Sequence, residues 1–244
     1  MTDKTNLSYW FPLIRDAGLP VPRTEIIEMP DDVWMEAWQM FDGVAFDAIP
    51  KYKAWAEDFE KLVNAFGRPL FLRTGHTSGK HNWKETCAIT TESSVMHHLY
   101  NIIEFSEIAG MMGELPWRTW VLREMLPVKP YGICRRYGDM PVVREFRVFV
   151  DGEKVECFHP YWPAKALQDG GVFMADDVLE RFHNFRDDAE LKDVLGLASD
   201  VGKAVGGRWS VDMLETERGW FVTDMAEAEK SYHWEGCANG RKKS

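Results

Sequence analysis

Two carboxylates in the last third of the sequence, Asp212 and Asp224, have the types and spacing to do chemistry together. The β-rich runs 210–216 and 220–225 flank Glu217-Arg218-Gly219. A three-residue loop ending in glycine suits a hairpin built on a type I turn and a left-handed glycine bulge. Pairing Thr216 with Trp220 sets Leu214 against Val222 and Asp212 against Asp224, with Cβ atoms about 5 Å apart. Like charges directly opposite destabilise a sheet, so such a pair calls for a cation, a shared proton or full exposure to water. Hard oxygen ligands at this spacing suit Mg2+, above all when a substrate phosphate completes the shell. A solvated pair on an exposed face is the alternative, and hairpin geometry does not decide between them.

Cations that could meet a phosphate lie upstream. Gly75 to Lys80 reads G-x-x-x-G-K, one residue short of a P-loop and without the hydroxyl that would meet Mg2+. What remains is a glycine- and hydroxyl-rich turn between strands, bracketed by Arg73, Lys80 and Lys84. Backbone amides in such a turn, with flanking cations, can hold polyphosphate, and an ordinary surface loop is the even alternative. A second hairpin is expected from 142–150 and 153–159 around Asp151-Gly152, the dipeptide that suits a type I′ turn. That turn pairs Val150 with Glu153, which puts Arg147 opposite Glu156 and leaves Glu145 on the same face as Arg147. No G-x-S-x-G, H-E-x-x-H or dinucleotide fingerprint is present. His97 and His98 are adjacent on a helix and point in different directions. Cys87, Cys134, Cys157 and Cys237 show no C-x-x-C or metal spacing, so reduced thiols are expected.

The elements that must position these residues follow from periodicity and punctuation. Acids at Asp31 and Asp32 open a helix, and a second runs over 51–66 with Trp55, Phe59, Leu62, Val63 and Phe66 on its apolar face, ended by Gly67. Strands are expected over 69–73, around 86–90 and over 117–126. Helices are expected over 93–109, burying Val95, Leu99, Ile102 and Ile103, and near 188–205. The stretch 163–177, with Gly170-Gly171, reads as a mobile loop.

The 244 residues are 45% hydrophobic and 28% charged, a composition that excludes disordered and fibrous classes. A chain this long buries roughly 70–75% of its unfolded surface and needs no disulfide or metal staples. The formal charge of −10 argues against a nucleic-acid partner, which would demand many lysine and arginine contacts to phosphate. No apolar leader and no run of 18 apolar residues is present, so a cytoplasmic protein with no membrane partner is expected.

Taken in order, Pro69-Leu70-Phe71-Leu72-Arg73, the loop 74–83, Trp120-Val121-Leu122-Arg123-Glu124-Met125-Leu126, Arg144-Glu145-Phe146-Arg147-Val148-Phe149-Val150, and the Asp212/Asp224 pair resemble the ATP-grasp superfamily. The similarity is strongest to the clade with arginine in place of the first phosphate-binding lysine, which includes eukaryotic cell-division-cycle chaperones of translation initiation factor assembly and many bacterial and phage proteins. It spans about residues 67–230. The resemblance implies an α+β fold of two lobes, each an antiparallel sheet with helices, clamping a nucleotide. It implies an N-terminal lobe over 67–126 and a C-terminal lobe over 127–236; residues 1–66, which carry no resemblance, are expected to form a small N-terminal subdomain, and the short polar stretch 237–244 a flexible tail. It also implies ATP and Mg2+, with Arg73, Lys80 and Arg147 as catalytic cations on the phosphates. Arg123, Glu124, Met125 and Leu126 would lie at the adenine hinge, Glu145 on a ribose hydroxyl, and Asp212 and Asp224 on the metal. The implied activity is carboxylate–amine (or carboxylate–thiol) ligation through an acyl-phosphate, with unidentified carboxylate and amine substrates. The alternative is an ATP-binding assembly factor that holds a protein partner without ligation. One departure stands out: the final acid-x-Asn triplet reads Asp224-Met225-Ala226, and alanine cannot ligate a metal.

Overall fold

The computed structural model describes residues 3–110 and 116–234, so the tail 237–244 and Cys237 lie outside the described residues. In chain order the elements begin with α1 (Leu7–Asp16), β1 (Thr24–Glu28), α2 (Asp31–Ala37), α3 (Pro50–Phe66), β2 (Leu70–Thr74), β3 (Ala88–Ile89), α4 (Val95–Gly110) and β4 (Thr119–Glu124). They continue with β5 (Gly132–Cys134), β6 (Met140–Val142), β7 (Glu145–Asp151), β8 (Lys154–Pro160), α5 (Ala164–Asp169), α6 (Asp176–His183), α7 (Asp188–Val205), β9 (Arg208–Thr216) and β10 (Gly219–Glu227). The chain forms two compact units. One comprises 23–125 with 137–140, and the other comprises 1–22, 126–136 and 141–244. The strand pair β5–β6 forms a separate small sheet.

The first unit is built on a four-stranded sheet of order β1-β4-β2-β3. Alternation along β2 sends Leu70 and Leu72 into a core shared with Trp120 and Leu122 of β4. α3 starts at Pro50, whose missing N–H costs nothing at a helix N-terminus, and Gly67 closes it. It buries Tyr52, Ala56, Phe59, Val63 and Phe66 against that core. Leu62, expected on this face, is 38% exposed, because the helical period carries the stripe through Phe59 and Val63 and leaves Leu62 at its edge. α4 buries Val95, Leu99, Ile102 and Ile103 as the sequence suggested.

The second unit carries a four-stranded sheet of order β10-β9-β7-β8, with α7 packed on it and α1 packed on α7. α1 contributes Leu7, Trp10, Phe11 and Ile14 to the buried interior. The stretch read as a mobile loop, 163–177, instead holds α5 and the start of α6. Leu167 and Phe182 anchor those two short helices, and their apolar residues are too few for periodicity to reveal.

Both hairpins turn at other residues than expected, the first with its two-residue loop moved along by one and the second with a loop one residue shorter. In the β7–β8 hairpin Asp151 pairs with Lys154, so the loop residues are Gly152 and Glu153. The positive φ of +54° falls on Gly152 as the first loop residue, not on Asp151. A bulge between Phe149 and Val150 adds a further shift, and Arg147 faces His159 rather than Glu156. In the β9–β10 hairpin Gly219 pairs with Thr216, leaving a two-residue loop, Glu217-Arg218. A bulge between Val222 and Asp224 then restores the missing residue, so Asp212 does stand opposite Asp224.

α7 lies so close to the first of these turns that the Cβ of any residue other than glycine at 202 would run into the Gly152 carbonyl oxygen. Backbone on both sides leaves no flexible atom to give way. Gly202→Ala is therefore expected to destabilise by about 3 kcal/mol or more despite alanine's better helix propensity. Chemical denaturation of the variant checks this. A neutral or stabilising result would mean that α7 stands off from the turn.

Candidate functional site

In the first unit, β2 and β4 bring two buried guanidiniums onto one sheet face. Arg73 and Arg123 are 4% and 3% exposed, and Arg123 pairs in register with Phe71, two residues before Arg73. Arg73 Nε donates to the Thr74 carbonyl at 3.0 Å, and Arg123 Nε to Thr24 Oγ1 at 3.2 Å. The opposite face of the same strands is the apolar core, so period-two alternation alone creates a cationic face. Glu124 closes β4, where its carboxylate accepts from the Arg23 amide at 2.9 Å. The division between the units falls between Met125 and Leu126.

The loop after β2 joins two antiparallel strands and is not a P-loop. Several of its amides are already engaged, within the loop or on β4. Thr74 N donates to the Thr77 carbonyl at 2.8 Å, Gly75 N to the Thr119 carbonyl at 2.8 Å, and Thr77 N to Thr74 Oγ1 at 3.0 Å. Of the two readings of this loop, amides so engaged favour an ordinary surface loop over a main-chain polyphosphate cradle, and leave the side chains as what it offers. Lys80 opens a short 3-10 turn, beside which His81 stacks on Tyr137 at 4.3 Å. Lys84 is paired with Asp139.

In the second unit one sheet row reads Asp224, Asp212, Arg147, His159 across β10, β9, β7 and β8. Arg147 clamps Asp212 bidentately, Nε to Oδ1 at 2.7 Å and Nη2 to Oδ2 at 2.9 Å. Its guanidinium also lies over the Tyr161 ring at 4.9 Å. Burial works against the Arg147 charge, but the attraction and hydrogen bonds of Asp212 outweigh it and raise its pKa. Part of the answer to the like-charge problem at Asp212 and Asp224 is therefore a cation supplied by the chain itself. Asp224 Oδ1 accepts from the Met225 amide at 3.0 Å. Glu145, 8% exposed, sits two residues before Arg147 on β7.

Sequence reasoning missed the residue that braces this row. Arg144 is 1% exposed and forks onto Glu190 at 2.8 and 2.7 Å, reaching Glu215 at 3.3 Å. Arg186 joins the same two carboxylates at 2.6 and 2.8 Å. Burial pushes the Glu190 carboxyl up, but the Arg144 and Arg186 hydrogen bonds pull it down to about 2. The available signal was Asp187-x-x-Glu190 at a helix start, where Asp187 does cap α7 by accepting from the Glu190 amide at 2.8 Å. The Glu190 carboxylate itself is spent on arginines.

His159, 3% exposed, is held neutral by burial, with its pKa lowered to about 4. Both it and Glu190 bind protons more tightly when unfolded, so stability falls as pH falls. The His159 contribution is complete above about pH 6.5 and is lost as pH drops through about 4. The Glu190 contribution is complete above about pH 4.5 and is lost as pH drops through about 2. Thermal unfolding from pH 7.5 to 3 should therefore show a decline that starts near pH 6.5, and His159→Phe should remove its first phase. A flat curve between pH 6.5 and 5 would contradict the buried neutral imidazole.

No family model matches the chain, and no curated protein is significantly similar to it in sequence. Among solved structures it is similar to Cdc123 from Schizosaccharomyces pombe, with a TM-score of 0.55 at 15% identity over 93% of this chain and 86% of that one. A C-terminally truncated form of the same protein gives a TM-score of 0.52 at 15% identity over 91% and 83%. A RimK domain protein ATP-grasp from Sphaerobacter thermophilus DSM 20745 overlays at a TM-score of 0.45 and 13% identity, over 92% of this chain and 60% of that one. The chain has the fold of Cdc123, an α+β arrangement of antiparallel sheets and helices. At these identities the likeness concerns the fold alone, and the chain spans only 60% of the RimK domain protein's length.

The sequence resemblance implies a nucleotide and a divalent metal, and the donor set here fits one hard cation. Asp212 and Asp224 offer carboxylate oxygens, whereas Ala226 offers nothing. Among the described residues no group of three or more His, Cys, Asp or Glu side chains could hold a metal alone. Phosphate oxygens and water would have to supply the rest of an Mg2+ shell, as is usual for that ion. No helix among the described residues is long and apolar enough to cross a membrane.

Proposed function

We propose that this ATP-grasp protein binds ATP with a single Mg2+ and uses it to activate a carboxylate for ligation to an amine or thiol. The observation that carries the reading is the row Asp224–Asp212–Arg147, two opposed carboxylates and a buried guanidinium in register on adjacent strands. Bound Mg2+ would supply charge neutralisation across the phosphates. Arg147 would stabilise negative charge developing on the transferred phosphoryl group and hold Asp212 in place. Arg73 and Lys80 would neutralise the remaining phosphate charge, which is where most of the rate enhancement in such chemistry arises. Arg123, Glu124, Met125 and Leu126 would serve the adenine hinge, and Glu145 a ribose hydroxyl. A second reading, an ATP-binding assembly factor for a protein partner without ligation, is favoured by Ala226, which removes one metal ligand from the triplet.

A thermal-shift titration tests the shared step. ATP at about 100 times its Kd should stabilise by about 2.7 kcal/mol, a rise of roughly 5–10 °C for a chain of this size, and only with Mg2+ present. Asp224→Asn should abolish that shift while the apo-protein keeps its melting point. Absence of any Mg2+-dependent shift in the wild type would overturn the reading. ADP and phosphate release that requires an acyl acceptor separates ligase from assembly factor.

A further inference from the structure

One pleat along from the carboxylate–arginine row, the same sheet face carries a second group of reactive side chains. Its row reads Ala226, Ser210, Phe149, Cys157 across β10, β9, β7 and β8. The segment Ser231–Trp234 is laid over this face. Ser231 Oγ meets Ser210 Oγ at 2.5 Å, and the Tyr232 carbonyl accepts from Arg147 Nη1 at 3.4 Å. His233 stacks on Phe149 at 4.5 Å, with 28° between the rings. That places His233 Nε2 3.0 Å from Cys157 Sγ. The other ring nitrogen, Nδ1, lies 3.4 Å from the Trp234 carbonyl oxygen. A carbonyl can only accept, so Nδ1 carries the proton and Nε2 presents its lone pair to the thiol. Nucleophile, base and a third group that orients the base are thus all in place.

Two buried polar atoms beside the pair point to a ligand. His159, one pleat from Cys157 on the same strand, gives its Nδ1 proton to the Pro160 carbonyl at 2.7 Å. Its Nε2 acceptor is buried with no partner among the described residues, on a side chain 3% exposed. The Trp234 ring stacks on His159 at 5.6 Å, and its indole N–H is buried with no acceptor among the described residues. A carbonyl substrate attacked by an N–H nucleophile would satisfy both, its oxygen taking the indole proton and the incoming N–H meeting His159. The other described thiols lack this setting. Cys87 and Cys134 are fully buried, and desolvation pushes Cys87 up to about 12.

We propose that Cys157 is a nucleophile, activated by His233, that accepts an acyl group as a thioester. The thiol proton passes to His233 Nε2, sulfur attacks the carbonyl carbon, and the bond from that carbon to the leaving oxygen breaks. The leaving group departs with the proton that His233 returns. An amine then attacks the thioester carbon, the C–S bond breaks, and the amine proton restores the thiol. From the register, Cys157 lies about 12 Å from Asp212 between Cα atoms, two strands across and one pleat along. An acyl group activated in the carboxylate–arginine row would have a short transfer to make. Only this source of the acyl group rests on the proposed ligase reading; the thiol–imidazole pair does not.

The test uses para-nitrophenyl acetate on the full chain carrying Cys237→Ser, read by nitrophenolate release and intact mass. A burst of one acetyl group per chain is expected, located at Cys157 and removed by neutral hydroxylamine as a thioester is. Cys157→Ser should lose the adduct, and His233→Gln should slow its formation about 100-fold, the usual range for a lost general base. Circular dichroism checks that both variants are folded. Absence of a burst, an adduct elsewhere, or an unchanged rate in His233→Gln would overturn the proposal. Mg2+-ATP thermal shifts on the same samples keep the two readings apart: acetylation without a nucleotide shift leaves the thiol site standing and removes the ligase, and the reverse removes only the thiol site.

Discussion

Asp212→Ala is expected to destabilise the apo-protein by about 3 kcal/mol, whereas Asp224→Ala should cost clearly less. The two carboxylates are partners in register but not equals in energy. Asp212 is 4% exposed and takes both prongs of Arg147, whose side chain is itself only 15% exposed. Removing one member of a buried ion pair costs about 3–5 kcal/mol because the other charge stays behind without compensation. The lower end applies here, since Asp224 stands directly opposite and can turn its charge toward the stranded guanidinium. Asp224→Ala relieves like-charge repulsion and leaves the Arg147–Asp212 clamp in place. Denaturant melts of the two single variants check the asymmetry. Equal losses would mean that Arg147 divides its hydrogen bonds between both acids. The same asymmetry is why nucleotide binding is best probed at Asp224: loss of ATP binding in Asp212→Ala would mix a metal effect with a folding one.

Glu190→Ala carries an expected cost of about 3–5 kcal/mol, on the order of 10 °C in melting temperature. Glu190 receives both prongs of Arg144, the guanidinium and main-chain amide of Arg186, and sits in the first turn of α7. Without it, Arg144 keeps Glu215 at 3.3 Å as its remaining carboxylate, in a position 1% exposed. Arg144 immediately precedes β7, so the loss should also loosen the strand that carries Glu145 and Arg147. A double variant, Arg144→Met with Glu190→Leu, should recover much of the loss, because apolar replacements of similar volume leave no buried charge. Additive losses in that cycle would show that the two side chains act separately.

Much of the scaffold was legible because long periodic segments declare themselves. α3, α4 and α7 have apolar stripes and glycine or acidic punctuation, and α7 was placed at its observed bounds. α5 and α6 were not, since six and eight residues hold too few apolar positions for a stripe to stand out. The opposed pair Asp212 and Asp224 was foreseen through a wrong turn. A two-residue loop and a bulge at Thr223 together give the register that a three-residue loop would have given. At the β7–β8 hairpin no such compensation occurs, the errors add, and Arg147 meets His159. Arg144 and Glu190, 46 residues apart, could not be paired from spacing at all. The same limit hid Cys157 and His233, which meet only because Ser231–Trp234 lies over the sheet.

The packing of α1 on α7 has a bearing on how the chain is made. α1 leaves the ribosome well before α7 and the last two strands of its sheet, with the whole of the other unit's sheet between them in the chain. Meanwhile the unit formed by 23–125 has its whole sheet and three helices in one stretch, and can settle as soon as that stretch is free. Until α7 is out, therefore, Leu7, Trp10, Phe11 and Ile14 form an apolar stripe without the helix that covers it. Such a stripe is an address for a holding chaperone on the nascent chain, and a liability wherever translation stalls before α7.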